Sequence, residues 1–197
     1  MSNIIPENGQ VYSWGYNGYG ELGIGNTASH QIDIQAIPSL NNIVAIAAGQ
    51  HHSLALTGLL HFHLFYLHFS TTGNGIVYSW GYNQYGQLGI GNNKYSKSTP
   101  QQVPDINDVI AIAAGFYHSI ALQSMLFSND LNPIINITLK TDNNGGTIYT
   151  WGHNQHRELG IGNTTDQNRV QRVLSPFNQN IIKITAGSSH NIVLSSN

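Results

Sequence analysis

The stretch GYGELG at residues 18–23 has the spacing G-x-G-x-x-G, which in other proteins surrounds a dinucleotide. Such a site needs its first two glycines for a tight turn and for close approach of the pyrophosphate, and a helix N-terminus to bind the phosphates. The residues that follow, NTASHQIDIQAIPSL, have no helical period, and two related stretches replace Gly18 by Gln84 and Gln155. We therefore interpret the glycines as turn residues and expect no cofactor.

Histidines at one recurring position could hold a metal ion. His52, His118 and His190 each stand ahead of an expected strand, and three imidazoles can bind zinc when they converge. Convergence would require side chains from three separate units. A structural hydrogen bond that fixes a turn explains the same recurrence, so we expect no metal.

A catalytic serine or carboxylate is not supported by the pattern. Ser53 beside His52 recurs as Ser119, but the third copy has Asn191, which is not a nucleophile. No carboxylate recurs with a catalytic partner, so we predict that the chain is not an enzyme. One polar position predicts a hydrogen-bonding role that an amide can fill equally well, since its residues are Glu21, Gln87 and Glu158.

These residues lie within three sequence repeats. The first block is VYSWGYNGYGELGIGN (11–26), VYSWGYNQYGQLGIGN (77–92) and IYTWGHNQHRELGIGN (148–163). The second is IVAIAAGQHHSLAL (43–56), VIAIAAGFYHSIAL (109–122) and IIKITAGSSHNIVL (181–194). The near-constant spacing between the blocks indicates that each repeat, about 10–56, 77–122 and 148–194, folds as one piece.

Short strands account for these blocks. Val44, Ile46 and Ala48 alternate with alanines that the third copy replaces by Lys183 and Thr185, which predicts a strand with one buried face. The chain has 21 glycines, 10 tyrosines and only 8% charged residues, a composition typical of turn-rich β proteins. We predict an all-β protein whose units are propeller blades.

The two blocks together resemble the regulator of chromosome condensation repeat. That resemblance implies a seven-bladed propeller in full-length members, with one repeat per blade and a tight turn between HSxAL and the next repeat. Since three repeats are present, we predict a partial β-propeller of about three four-stranded blades in an open arc. Long insertions replace the tight turns at 57–75 and 123–146. They are interpreted as functional loops, disordered excursions or translated introns.

Aromatic residues in the loop after each tryptophan are the predicted partner-binding site. Tyrosine offers a large contact area at low entropic cost, and binding hot spots are rich in it. The alternative is that Tyr19 and Tyr85 pack against the next blade. The predicted partner-binding residues are Tyr16, Tyr19, Tyr82 and Tyr85, with His153 and His156 at the positions of the last two in the third repeat.

A scaffold or adaptor that binds another protein is the predicted function. The family resemblance offers two alternatives, a guanine-nucleotide exchange factor for a small GTPase and a hydrolase inhibitor, and the chain could be a fragment of a larger repeat protein. A net charge of −2 with 7 basic residues favours neither nucleic acid nor a membrane as partner. The first residues, MSNIIPENGQ, do not form a signal peptide, so we expect an intracellular protein, cytoplasmic or nuclear.

Open blade edges are a further expected property of three repeats. The chain carries VYSWG near one end and HNIVL near the other, and neighbouring blades normally bring these two halves together. Unpaired strand edges attract another chain. We therefore predict self-association unless the chain is part of a longer one.

Overall fold

The computed structural model describes residues 9–58, 75–123, 146–174 and 181–196, and these residues fold into twelve β-strands. Within those ranges there is no helix, and hence no helix that could cross a membrane. The all-β prediction is confirmed. The strands are β1 (Tyr12–Tyr16), β2 (His30–Ala36), β3 (Ile43–Ala48), β4 (His52–Thr57), β5 (Val77–Gly81), β6 (Lys97–Gln102), β7 (Val109–Ala114), β8 (His118–Gln123), β9 (Thr147–Gly152), β10 (Gln167–Arg172), β11 (Ile181–Ala186) and β12 (Asn191–Ser195).

The strands form antiparallel sheets that are offset from the sequence repeats by half a unit. Two sheets have four strands, β3-β4-β5-β6 and β7-β8-β9-β10, and two have two strands, β1-β2 and β11-β12. Each complete blade therefore takes two strands from one repeat and two from the next. The partial propeller is confirmed, but its twelve strands make two whole blades and two half-blades.

The blades are arranged as a fan. Strands β3, β7 and β11, at the same edge of successive sheets, pack against one another, whereas β6 and β10 at the opposite edge make no comparable contact. Sheets that are close at one edge and apart at the other diverge from a common axis. This geometry is the open arc that the repeats predict.

The hydrophobic core lies between successive sheets. Leu54 and Leu56 of the first whole blade pack with Trp151 and Ile112 of the second, and Ala113 on the other face of β7 packs towards the last half-blade. Both faces of β7 are thus covered. The prediction of a strand with one buried face is therefore wrong for β7. Lys183 and Thr185 of β11 are exposed because no described sheet covers that face of the last half-blade.

The two insertions begin and end between paired neighbouring strands. Residues 59–74 and 124–145 lie outside the described ranges, so the interpretations of the insertions stay open. The strands on either side pair directly, with Leu56 opposite Val77 and Gln123 opposite Thr147. The insertions therefore leave the sheets intact, at the end opposite the β5–β6 and β9–β10 loops.

Candidate functional site: an aromatic ridge on the loop face

Each loop after β1, β5 and β9 is closed by a buried asparagine. In the second loop the Asn83 side-chain oxygen accepts a hydrogen bond from the Leu88 backbone N–H at 3.1 Å, and its amide donates to the Asn92 carbonyl at 2.8 Å. Asn17 and Asn154 make the same bonds in the other two loops. The asparagine holds both ends of the loop, so the aromatic residues between them stand on a fixed base.

Replacing Asn83 by alanine should lower the free energy of unfolding by about 1–3 kcal/mol, because the Leu88 N–H would be left buried without its acceptor. Urea denaturation would measure the loss. Asn93, exposed in the same loop, supplies the matched control, and Asn93→Ala should change stability by less than about 0.5 kcal/mol. Equal effects of the two substitutions would contradict the anchoring role.

The polar position near the end of each glycine turn caps a backbone N–H. The Glu21 carboxylate accepts from the Tyr19 N–H at 2.8 Å, the Gln87 side-chain oxygen from Tyr85 at 3.1 Å, and the Glu158 carboxylate from His156 at 2.9 Å. The predicted hydrogen-bonding role, which an amide fills as well as a carboxylate, is confirmed. These bonds fix the backbone of the same residues that were predicted to bind a partner.

The predicted partner-binding residues form one continuous row of rings on the loop face. Consecutive ring centroids in this row are between 4.7 and 6.4 Å apart. The row crosses all three repeats in the order Tyr16, Tyr19, Tyr82, Tyr85, His153 and His156.

Two further rings join this row from the β3–β4 and β7–β8 turns. His51 lies 5.1 Å from the Tyr19 ring, and Tyr117 lies 4.9 Å from the Tyr85 ring. Sequence reasoning missed both, although each directly precedes a recurring histidine in the second block. We call the eight rings the aromatic ridge, which consists of Tyr16, Tyr19, His51, Tyr82, Tyr85, Tyr117, His153 and His156.

Packing between blades and exposure to solvent occur together in the ridge. Tyr19 contacts the Tyr82 ring of the next repeat and is still 37% exposed, and Tyr85 is half-buried against His153. Packing against the next blade therefore leaves part of each ring exposed, so this interpretation is compatible with a partner-binding role. Because the rings brace one another, a partner would meet a surface that has little conformational entropy left to lose.

Burial and close pairs shift the pKa of one ridge tyrosine and of one carboxylate beneath the ridge. Burial, and then the neighbouring Tyr85, Tyr19 and Tyr117, raise the pKa of Tyr82, so its phenol stays neutral. Burial would raise the pKa of Glu158, but the hydrogen bond with His153 at 2.6 Å and two backbone hydrogen bonds lower it overall. The ridge thus presents aromatic rings, among them the neutral Tyr82 phenol, above the anchored carboxylates of Glu21 and Glu158, a surface suited to contact.

Two of the three recurring histidines, His52 and His118, link neighbouring repeats. His52 Nε2 lies 3.0 Å from the Ser119 hydroxyl, which itself donates to the Gln87 carbonyl, so the imidazole must be the donor. His118 Nε2 similarly donates to the Asn191 side-chain oxygen at 3.1 Å. The structural hydrogen bond is confirmed, although it fixes the next repeat rather than a turn. Among the described side chains, no three potential ligands are grouped to hold a metal.

The glycines of the opening motif are required by packing between blades. Gly23 has a φ of 71°, and a Cβ there would lie 2.8 Å from the Trp80 indole nitrogen. Gly20 has a φ of 83°, and its Cβ would lie 2.6 Å from the Ser98 Cα in the next blade. These glycines form the turn that the sequence predicts. Because they have no side chain, they also leave room for the next blade to pack against the turn.

Known proteins share this architecture. The regulator of chromosome condensation (RCC1) repeat model matches residues 8–56, 74–122 and 145–194. The ultraviolet-B receptor UVR8 of Arabidopsis thaliana is 25% identical over 96% of this chain and 48% of its own length. The probable E3 ubiquitin-protein ligase HERC6 of Homo sapiens is 28% identical over 98% of this chain and 16% of its own.

A solved structure extends the comparison to the fold. Prp20p of Saccharomyces cerevisiae, studied for its binding to Gsp1p and histones, matches with a TM-score of 0.70 at 21% identity, over 94% of this chain and 39% of that one. The chain thus spans half or less of the length of these proteins. Its three matched repeats, their shared landmarks and the blades they build place the chain in the regulator of chromosome condensation repeat family.

Proposed function

We propose that this chain is a protein-interaction module and that the aromatic ridge is its docking surface. The observation that carries the proposal is the unbroken row of rings across three repeats, at the end of the sheets where all the anchored loops lie. Aromatic residues held on a rigid base are the residue type and setting in which binding energy concentrates.

The chemistry of the ridge favours a protein partner. Tyrosine and histidine rings combine apolar contact area with hydroxyl and imidazole groups that can donate and accept hydrogen bonds. The anchored carboxylates of Glu21 and Glu158, paired with His51 and His153, add a mildly acidic component. We therefore infer a partner surface that presents apolar side chains together with a few basic or hydroxyl groups.

Alanine at Tyr82 and Tyr85 together should weaken partner binding by about 30-fold or more, which corresponds to about 2 kcal/mol at a hot spot. The partner would be isolated by affinity capture on the immobilised chain, identified, and its dissociation constant measured by calorimetry. Tyr95→Ala is the matched control, because Tyr95 is 72% exposed and contacts no ring of the ridge. Binding that is equally strong with and without the two ridge tyrosines would contradict the proposal.

Guanine-nucleotide exchange on a small GTPase is the alternative regulatory role. Its support is the fold shared with Prp20p, whose structure was reported together with its binding properties to Gsp1p. An exchange factor accelerates release of bound nucleotide, whereas an adaptor leaves the release rate unchanged. A fluorescent nucleotide-release assay with small GTPases therefore distinguishes the two roles, and rapid release would replace the adaptor assignment.

A further inference from the structure

The first and last sheets are complementary halves of one blade. In the two whole blades the second and third strands pair directly, as β4 does with β5 and β8 with β9. Strand β1 pairs only with β2 among the described strands, and residues 191–194 of β12 pair only with β11. Strand β1 corresponds to β5, and β12 corresponds to β4, so each half-blade contains what the other requires.

A set of three hydrogen bonds joins neighbouring blades inside the chain. Between the two whole blades, the Trp151 indole N–H and the Ser119 hydroxyl both donate to the Gln87 carbonyl at 2.9 Å. His52 donates to the same Ser119 hydroxyl at 3.0 Å. Parts of this set recur at the two outer junctions: Trp80 and Ser53 donate to the Glu21 carbonyl before it, and Asn191 donates to the Glu158 carbonyl and accepts from His118 after it.

The unused members of these bonds lie at the two ends of the arc. At the first half-blade the Trp14 indole is 62% exposed, with no hydrogen-bond partner among the described residues. At the last, the Glu158 carbonyl accepts from Asn191 but from no described tryptophan, and His190 is exposed. Gly160, unlike Gly23, has no indole packed against it. By analogy with the bonds inside the chain, the Trp14 indole N–H is the donor that the Glu158 carbonyl lacks among the described residues. In the same way, His190 is the donor that the Ser53 hydroxyl lacks in the described part of the chain.

The apolar surfaces at the two ends correspond in the same way. Leu54 of β4 is fully buried, whereas Ile192 at the equivalent position of β12 is 58% exposed. Beside β1 there is a cleft of about 360 Å³, lined by Trp14, Ile46 and Leu54 among others. It lies where a whole blade has its first two strands. A hairpin such as β11–β12 is the element that fills this position elsewhere in the chain.

We propose that a second copy of this chain fills the cleft, with its β12 paired antiparallel to β1. The pairing of β4 with β5 and of β8 with β9 sets the register, which places Asn191 of one copy opposite Trp14 of the other and Ile192 opposite Ser13. The reciprocal contact completes a second blade. Two copies then form a closed ring of six blades, within the usual range of 4–8, and no blade edge is left for further chains.

Three side chains make this junction weaker than those inside the chain. Arg157 occupies the position that is Gly20 and Gly86 in the other two repeats. A Cβ at those glycines would lie 2.6 and 2.5 Å from a backbone Cα atom of the next blade. Lys183 and Thr185 replace interface alanines. The arginine, with its φ of 63°, would meet the Ile32 backbone of the second copy. We therefore expect a dimer that dissociates on dilution, and expect Arg157→Gly to tighten it by about tenfold or more.

Sedimentation equilibrium across a range of concentrations tests the assembly. The expected result is a dimer of twice the 21.5 kDa chain mass, tightened by Arg157→Gly and weakened at least about tenfold by Trp14→Ala or Ile192→Lys. Both weakening substitutions are at exposed positions, and circular dichroism would verify the fold. A monomer at every concentration overturns the proposal, as does a dimer unaffected by either substitution, or a mass that rises beyond the dimer.

Cysteine cross-linking tests the register, because the chain contains no cysteine. Ser13→Cys with Ile192→Cys places two thiols opposite each other, so mild oxidation should give a covalent dimer. The matched control is Ser13→Cys with Val193→Cys, since adjacent residues of a strand point to opposite faces. Cross-linking of the control as fast as the test pair would overturn the proposed pairing.

Discussion

Replacing Trp151 by alanine is expected to lower the free energy of unfolding by about 3–5 kcal/mol. The indole is fully buried between the two whole blades, packs in the same cluster as Leu54 and Leu56, and donates a hydrogen bond to the Gln87 carbonyl at 2.9 Å. The substitution removes a large apolar side chain and leaves both a cavity and a carbonyl with one bond fewer. Urea denaturation followed by far-ultraviolet circular dichroism would measure the loss.

The chain contains its own control for this experiment. Trp14 is the equivalent residue of the first repeat, but it is 62% exposed, so Trp14→Ala should cost less than about 1 kcal/mol. The comparison must be made at concentrations at which the chain is monomeric, so that no second copy covers the indole. Losses of similar size at Trp14 and Trp151 would contradict the placement of the blades.

Lowering the pH from 7 to 5 is expected to reduce the free energy of unfolding by about 2 kcal/mol through His52 alone. Each pH unit below the unfolded pKa of 6.5 contributes about 1.4 kcal/mol. Burial, and then the nearby His118, lower the pKa of His52 to about 3. Between pH 6.5 and pH 3, the unfolded chain therefore binds a proton at His52 that the folded chain does not bind. This stability is fully present above pH 6.5 and is lost as the pH falls towards 3. Burial also lowers the pKa of His118, which adds in the same direction.

Denaturation curves at several pH values would separate this effect from general acid sensitivity. His52→Gln removes the titrating group and should reduce the loss between pH 7 and pH 5 by about 2 kcal/mol, even though its stability at pH 7 is lower. Asn93→Ala, which removes no titrating group from an exposed position, should keep the wild-type slope. A His52→Gln variant with the full acid sensitivity would show that buried His52 is not its source.

The repeats made the fold and much of the candidate site predictable. Tryptophan, glycine and histidine recur in step, which indicates stacked β units whatever their detailed pairing. The glycine turns also predicted which side chains leave the sheet, and the six predicted residues stand in one row. His51 and Tyr117 escaped prediction because they come from a different turn, and only the radial arrangement brings the two kinds of turn together.

Relations between repeats could not be read from the chain alone. The offset between repeats and blades depends on β4 pairing with β5 across an insertion. The bond from His52 to Ser119 joins residues of different repeats, whereas the sequence places His52 directly beside Ser53. A one-dimensional pattern records which elements form, and long-range pairing decides which of them meet.

The clearest case is a stretch of seven identical residues. VYSWGYN occurs at 11–17 and again at 77–83, and in both places it forms a five-residue strand, shifted by one position, that leads into a loop closed by its asparagine. Trp14 is nevertheless 62% exposed and Trp80 only 3%. Local sequence determined the strand, the turn and the outward tyrosines, because backbone geometry and hydrogen bonds within a few residues suffice for them. Tertiary structure alone decided burial, because an indole is removed from water only where a neighbouring blade covers it.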